Sequence, residues 1–503
     1  MPFDDTHNEI IRRTVDGGLL LIAGAYLIAA LVGLPLFGDG GYYFFKLVTD
    51  GTLLLPNLRY TAVLPQLPGW AVASITTDPL LLRHIFSASY QSLPWLSLGA
   101  CWLLVRRRMP RLMLLPLLSL SVTLVNFSAV SELLSGLYLV WPLVLAMALM
   151  PERPWVRVYA FVSGPLLLAL HPMAFVLAFA LALAALFIAW REPASPGYGR
   201  GRWRWLAGWL TLFGSLRLLW TAFGINAYER GVLTDTGMAN YLLPETPAQY
   251  LLLIFASFGG LIFVADILLL RVARRYSWAR RAAGWGGAWG AGLGLGFCCA
   301  LLALSALVVS TEFVLGDGIK LKAAATFVVA VLLMGLAFLA GSALGGLAPK
   351  GSAPVASANI EPPEPDTAQL NSRAWPFRLV VAAILLLVLA KSSAWWTATR
   401  GLQDAVADSS GPCIAFAVDR PFGLQWPWMN SIDDWVAPIN ALAFRPRIPR
   451  ADGQGIEPIP LLLPYDGCQL LERTGEAHFT DWMHRPWTLL DERFGPLRRP
   501  ASF

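Results

Sequence analysis

An apolar run ends at Phe37, and the next residue able to carry charge is Asp39, set in Gly38-Asp39-Gly40-Gly41-Tyr42-Tyr43. Glycines on both sides leave that backbone free to bend, and an acid at the end of an apolar run belongs at a membrane surface. Such an acid either takes a proton from a hydroxyl or favours the start of the next helix. Other ionisable groups fall at the same kind of boundary. Arg83 and His84 precede the second apolar run, Glu132 follows Ser131 in a polar break, and His171 precedes Pro172 in another. Arg217 lies inside an apolar run, and Glu312, Asp317, Lys320 and Lys322 sit between two later ones. Acids and bases gathered on one side of a helical bundle suit a phosphorylated lipid and a polar acceptor. The cations hold the phosphate and the acid takes the acceptor's proton.

Each group also has a plainer role. Glu132 is read as catalytic beside Asp39, or as a turn residue or an arginine's structural partner. His171 is a substrate-binding residue or a satisfied turn histidine. Arg217 is costly to leave unpaired in an apolar span, so it faces a partner or a cavity. Lys320 and Lys322 contact phosphate or are ordinary snorkelling loop lysines.

The elements that carry these residues follow from hydropathy. Of 503 residues, 56% are hydrophobic and 14% charged; the mean hydropathy is +0.57. A soluble domain carries nearer a quarter charged residues, so the chain reads as an α-helical polytopic membrane protein. The net charge of +6 sits in arginine clusters between apolar runs, which is the positive-inside pattern and excludes nucleic acid as a partner. The partner that composition does imply is the lipid bilayer.

Runs long enough to span number about eleven. They begin with Leu19 to Phe37, an uncleaved anchor with a cytoplasmic N-terminus. Residues 38–90 form a first outer loop, amphipathic but not apolar enough to span, and Ser92 to Val105 is the second span. Leu112 to Met150 is of double length and breaks near Ser131, whereas Val158 to Trp190 is short for two spans and breaks at His171-Pro172. Leu206 to Phe223, Leu251 to Leu270, Gly287 to Val309, Ala323 to Leu347 and Leu379 to Ser393 follow. Residues 348–378 are rich in Pro, Ala, Ser and acids, the composition of a disordered cytoplasmic linker.

The transmembrane domain is therefore 1–393, and 394–503 is a small extracytoplasmic C-terminal domain of mixed or irregular structure. Span parity and arginine placement agree on that sidedness, in a cytoplasmic (inner) membrane. Cys413 and Cys468 lie in this tail and can pair in an oxidising compartment. Walker loops, zinc-spaced Cys/His pairs and nucleophile elbows are absent from the sequence.

The pattern resembles the GT-C class of integral-membrane glycosyltransferases that use polyprenyl-phosphate sugars. The resemblance rests on one span followed at once by Asp39 in Gly-Asp-Gly-Gly-Tyr-Tyr, a long outer loop containing Arg59-Tyr60-Thr61-Ala62-Val63-Leu64-Pro65-Gln66-Leu67-Pro68, the Ser131-Glu132 turn and the C-terminal domain. It implies that Asp39 is the base for inverting attack by an acceptor on a polyprenyl-phosphate-linked sugar, with Arg83, Arg217, Lys320 or Lys322 holding the phosphate. The acceptor would be a glycan, lipid or protein. Many members carry a second acid beside the first, whereas here the neighbours are glycines, so a divalent metal is compatible but not called for. A Trp-Trp-Asp signature is missing, since Trp395-Trp396 is followed by Thr397. The competing reading is a non-catalytic accessory or scaffold subunit, with the tryptophan-rich tail docking a partner subunit.

Overall fold

A computed structural model describes residues 2–55, 59–124, 130–191, 199–224, 230, 254, 257, 261, 323–345, 374–416, 436–450 and 452–500. The protein is mostly helical, and among the described residues five helices are long and apolar enough to cross a membrane. They contain Asn8–Leu31, Glu132–Leu149, Ala174–Arg191, Arg200–Phe223 and Trp375–Asp408, with shorter apolar helices at Pro110–Thr123 and Thr326–Ser342.

Helix α1 (Pro2–Leu31) ends near Gly33, whose φ of 74° takes a conformation open to glycine, and a short 3-10 turn, Leu34–Leu36, leads into α2 (Asp39–Asp50). A second 3-10 segment, Tyr60–Gln66, runs into α3 (Leu67–Ala73). Then α4 (Pro79–Val105) starts on Asp78, whose carboxylate accepts from the Leu80 amide, a standard N-terminal cap. The expected outer loop, 38–90, is thus helical over much of its length. Its last residues are already the first turns of α4, because Pro79 and the Asp78 cap start a helix that only later becomes apolar.

The double-length run divides as expected into α5 (Leu114–Thr123) and α6 (Glu132–Leu149), with Ser131 capping α6. The short run divides at His171-Pro172 into α7 (Pro154–Leu168) and α8 (Ala174–Arg191). Helix α9 (Gly199–Phe223) lies along both α7 and α8, and α10 (Ala323–Gly345) packs on α5 and α6. The last span is longer than hydropathy indicated. Helix α11 runs unbroken from Trp375 to Asp408, packed on α1, so residues 375–378 of the expected linker are helical and the expected boundary at 393/394 falls inside a helix. Helical hydrogen bonding does not stop where hydropathy drops, and no Gly or Pro stands between Arg378 and Arg400 to stop it. The expected span Gly287 to Val309, all of Leu251 to Leu270 except residues 254, 257 and 261, and nearly all of the linker lie outside the described residues.

The C-terminal part is mixed, as its composition suggested. Strand β1 (Cys413–Phe416) pairs in parallel with β2 (Leu461–Pro464), and β3 (Glu476–Thr480) pairs antiparallel with β4 (Met483–Pro486). Around them lie α12 (Ala437–Ala443), α13 (Tyr465–Thr474) and α14 (Trp487–Phe494). A Cys413–Cys468 disulfide ties β1 to α13. This part is seated on α2. Phe45 meets the rings of Phe479 and Phe494 at 5.1 and 5.9 Å, Tyr42 meets Trp482 at 5.4 Å, and Arg485 pairs with Asp50 at 2.8 Å.

Candidate functional site

Asp39 is the first residue of α2 and is exposed, while Gly38, Gly40 and Gly41 around it are buried. The glycines are there for space and conformation, not for freedom. Gly38 has a φ of 53°. A Cβ on Gly40 would lie 1.7 Å from the Pro35 carbonyl oxygen and 2.7 Å from Val130, and one on Gly41 would lie 2.6 Å from Val436. The start of α2 is thereby clamped between the preceding turn, the entry to α6 and α12. Asp39 stands in the first turn of α2, a place where the helix dipole favours a negative charge.

Glu132 comes to the same place from the start of α6. Its Oε1 accepts a hydrogen bond from the Tyr43 hydroxyl at 2.6 Å, and its Oε2 pairs with Arg59 at 3.1 Å. Arg59 and Glu132 side chains retain only 15% and 9% of their accessible surface, so the pair is largely withdrawn from water. Burial first, then the Glu132 and Asp39 carboxylates, push the Tyr43 phenol well above its ordinary value; it stays protonated and donates. Tyr90, from α4, lies within electrostatic reach of both carboxylates. Asp39, Tyr43, Arg59, Tyr90 and Glu132 therefore form one cluster. Within it Glu132 is fully engaged as the partner of an arginine, one of the two alternatives for it, and Asp39 is the carboxylate presented at the surface.

His171 and Arg217 stand behind Arg59. Arg217, 3% exposed, donates to the His171 and Leu168 carbonyls at 3.1 Å each. It caps carbonyls left over at the end of α7, a favourable place for a cation, and it ties α9 to the α7–α8 turn. Thr221 adds a bond to the Pro172 carbonyl at 3.1 Å. The His171 Nδ1 accepts from the Met173 amide at 3.1 Å, which places the imidazole proton on Nε2. Burial, followed by Arg59 and Arg217, pulls His171 well below its ordinary pKa and keeps it neutral. The segment after Arg59 is pinned to the same turn, since the Thr61 amide donates to Ala169 and its hydroxyl to Leu166.

Arg83 and His84 do not join this cluster. Arg83 donates to the Ala443 carbonyl at 3.1 Å and lies 4.5 Å over the Phe444 ring, so it anchors the C-terminal part. His84 is half-buried beside it. Glu312, Lys320 and Lys322 lie outside the described residues.

Several relevant residues, Tyr90 among them, were not among the expected site residues. Tyr43 and Arg59 belong to the quoted motifs, but their partner is 89 or 73 residues away. Lys391 carried a readable signal, a lone charge within the last apolar run, where an ionisable group is functional or paired by default. It is 2% exposed and donates to the Leu124 carbonyl. With Tyr26, Tyr90, Gln91 and Tyr138 it lines a cavity of about 30 Å³, room for about one water. Buried there, the Tyr26 and Tyr90 hydroxyls have no hydrogen-bond partner among the described residues. Asn440 of α12, fully buried and likewise without a partner for either amide atom, has its oxygen 3.3 Å from where a Gly41 Cβ would be. The C-terminal part thus reaches within a turn of Asp39.

Among the described residues no group of three His, Cys, Asp or Glu side chains gathers as a metal site. Comparison with family models, with characterised proteins and with solved structures finds no match for this chain.

Proposed function

We propose that this chain is a membrane glycosyltransferase of GT-C type, moving a sugar from a polyprenyl-phosphate donor to an acceptor hydroxyl. The observation that carries the reading is an exposed carboxylate, Asp39, fixed at the start of a helix beside a buried Arg59–Glu132–Tyr43 cluster. In the proposed step the acceptor O–H gives its proton to Asp39 while its oxygen attacks the anomeric carbon. The bond from that carbon to the phosphate oxygen breaks, and the electron pair leaves with the polyprenyl phosphate. The anomeric centre inverts. Arg59 is the cation paired with Glu132, and Lys391, with the tyrosine hydroxyls of the cavity beneath, supplies donors from the membrane side. The cations Lys320 and Lys322 are further candidates.

The topology that goes with this reading has about eleven spans, the N-terminus inside and the C-terminal part outside, so Asp39 meets the acceptor in the extracytoplasmic space. Seating of the tail against α2, with Asn440 one turn from Asp39, favours a role for it in presenting the acceptor.

The test is Asp39→Asn in purified protein, assayed for sugar transfer from polyprenyl-phosphate donors. A loss of about 10²- to 10⁴-fold is expected for removal of a general base. Wild-type activity in the folded variant would sink the assignment. A chain that transfers no sugar but holds a stoichiometric partner through its tail would instead be an accessory subunit.

A further inference from the structure

At the opposite, arginine-rich ends of the helices, α7 and α9 leave a groove between them of about 480 Å³, the size of a small-molecule site. Its walls are Val158, Phe161, Trp205 and Leu206, and Arg157 and Arg202 stand on its rim. The aromatic wall is built, not incidental. Phe161 stacks on Trp209 at 4.6 Å and on Trp205 at 5.8 Å, and the two tryptophans stack at 5.6 Å. Trp209 is held by its Nε1, which donates to the Phe161 carbonyl at 2.9 Å. Gly164 makes room for it, because a Cβ there would come within 3.0 Å of the same nitrogen.

The electrostatics at this end point one way. Both α7 and α9 begin here, so two helix N-termini add their partial positive charge to Arg157 and Arg202. Arg153, Arg200 and Arg204 lie on the same two helix ends. The one carboxylate on the described residues of these ends, Glu152, is within 3.8 Å of Arg153. An apolar, aromatic slot under a positive rim matches a molecule with an acyl chain and an anionic head. Exposed tryptophan at such a level is the usual interfacial anchor of a membrane helix.

We infer that this groove is a binding site for one anionic phospholipid, with an acyl chain against Phe161 and Trp205 and its phosphate between Arg157 and Arg202. The inference is independent of the reaction proposed above. It uses only the membrane character of the helices and the shape and charge of this end.

Native mass spectrometry of the full chain in detergent, titrated with equal amounts of phosphatidylglycerol and phosphatidylcholine, tests it. Wild-type protein is expected to retain phosphatidylglycerol preferentially. In Arg157→Ala/Arg202→Ala the preference should fall about thirtyfold, at roughly fivefold for each arginine. Trp205→Ala should weaken retention of both lipids and leave the preference in place. Should the double variant fail to fold, Arg202→Ala alone, at an exposed position, is expected to lose about fivefold. Equal retention of the two lipids by wild-type protein, or an undiminished preference in the arginine variants, would overturn the assignment.

Discussion

Two acids near each other do different work here because their surroundings differ. Glu132 has spent both oxygens, one on Tyr43 and one on Arg59, at a place almost closed to water. Breaking a buried pair from one side leaves an uncompensated charge, so Arg59→Met should cost about 3 kcal/mol or more. Because the two residues are coupled, Arg59→Met/Glu132→Gln should cost less than the sum of the single variants. Thermal unfolding in detergent measures both; additive losses would deny the coupling. Asp39, by contrast, is exposed, and its replacement by Asn should leave the unfolding temperature near wild type while removing the sugar transfer proposed above. A large fall in stability would make Asp39 a structural residue instead.

Helix α2 is the element on which the site depends, and glycines let it sit where it does. Adding a methyl at Gly40 drives it into the Pro35 carbonyl at 1.7 Å, a backbone group that cannot swing aside. Gly51, at the other end of α2, has a φ of 63° but open space around it. Gly51→Ala should therefore cost only about 1–2 kcal/mol of conformational strain. Gly40→Ala should displace α2 and cost far more, seen as failed folding or a much lower unfolding temperature. Equal losses in the two variants would show that the clamp on Gly40 is not tight.

Across the whole molecule, the C-terminal part is held to α2 by rings and by the Arg485–Asp50 pair. Burial alone would raise the Asp50 carboxyl, but hydrogen bonds from Lys46, Thr49 and Arg485, together with the Arg485 charge, hold it below its ordinary value. A carboxylate lowered on folding stabilises the docked form above its unfolded pKa, and that contribution is lost as pH falls through the lowered value. Protease cleavage of the tail should thus rise as the medium is acidified below the ordinary carboxylate range. Asp50→Asn should be more readily cleaved at neutral pH, with a weaker acid dependence; an unchanged acid profile would remove Asp50 from the account. Reduction of Cys413–Cys468 opens a loop of 55 residues and removes about 4 kcal/mol of chain-entropy stabilisation, so the reduced tail should unfold first.

Much of the helical framework was legible along the chain because hydropathy and helix punctuation are local properties. The break at His171-Pro172 separates α7 from α8, Ser131 caps α6, and Asp39 opens α2. The cysteine pair was likewise readable from its position in the polar tail, apart from the apolar runs. What could not be read is which distant groups meet. Arg83, expected at a substrate, is bound to Ala443, 360 residues on. Arg217, flagged correctly as needing a partner, found it in carbonyls that only the turn between α7 and α8 exposes. Arg59 and Glu132 become an ion pair because a 3-10 segment is pinned on the α7–α8 turn and α6 starts beside it. Residue type and apolar period set the helices and put an acid at a boundary, because each depends on a few neighbours in sequence. The partners of that acid, the use of each arginine and the seat of the tail were settled by packing, since an ion pair or a ring contact depends on distances that the chain order does not contain.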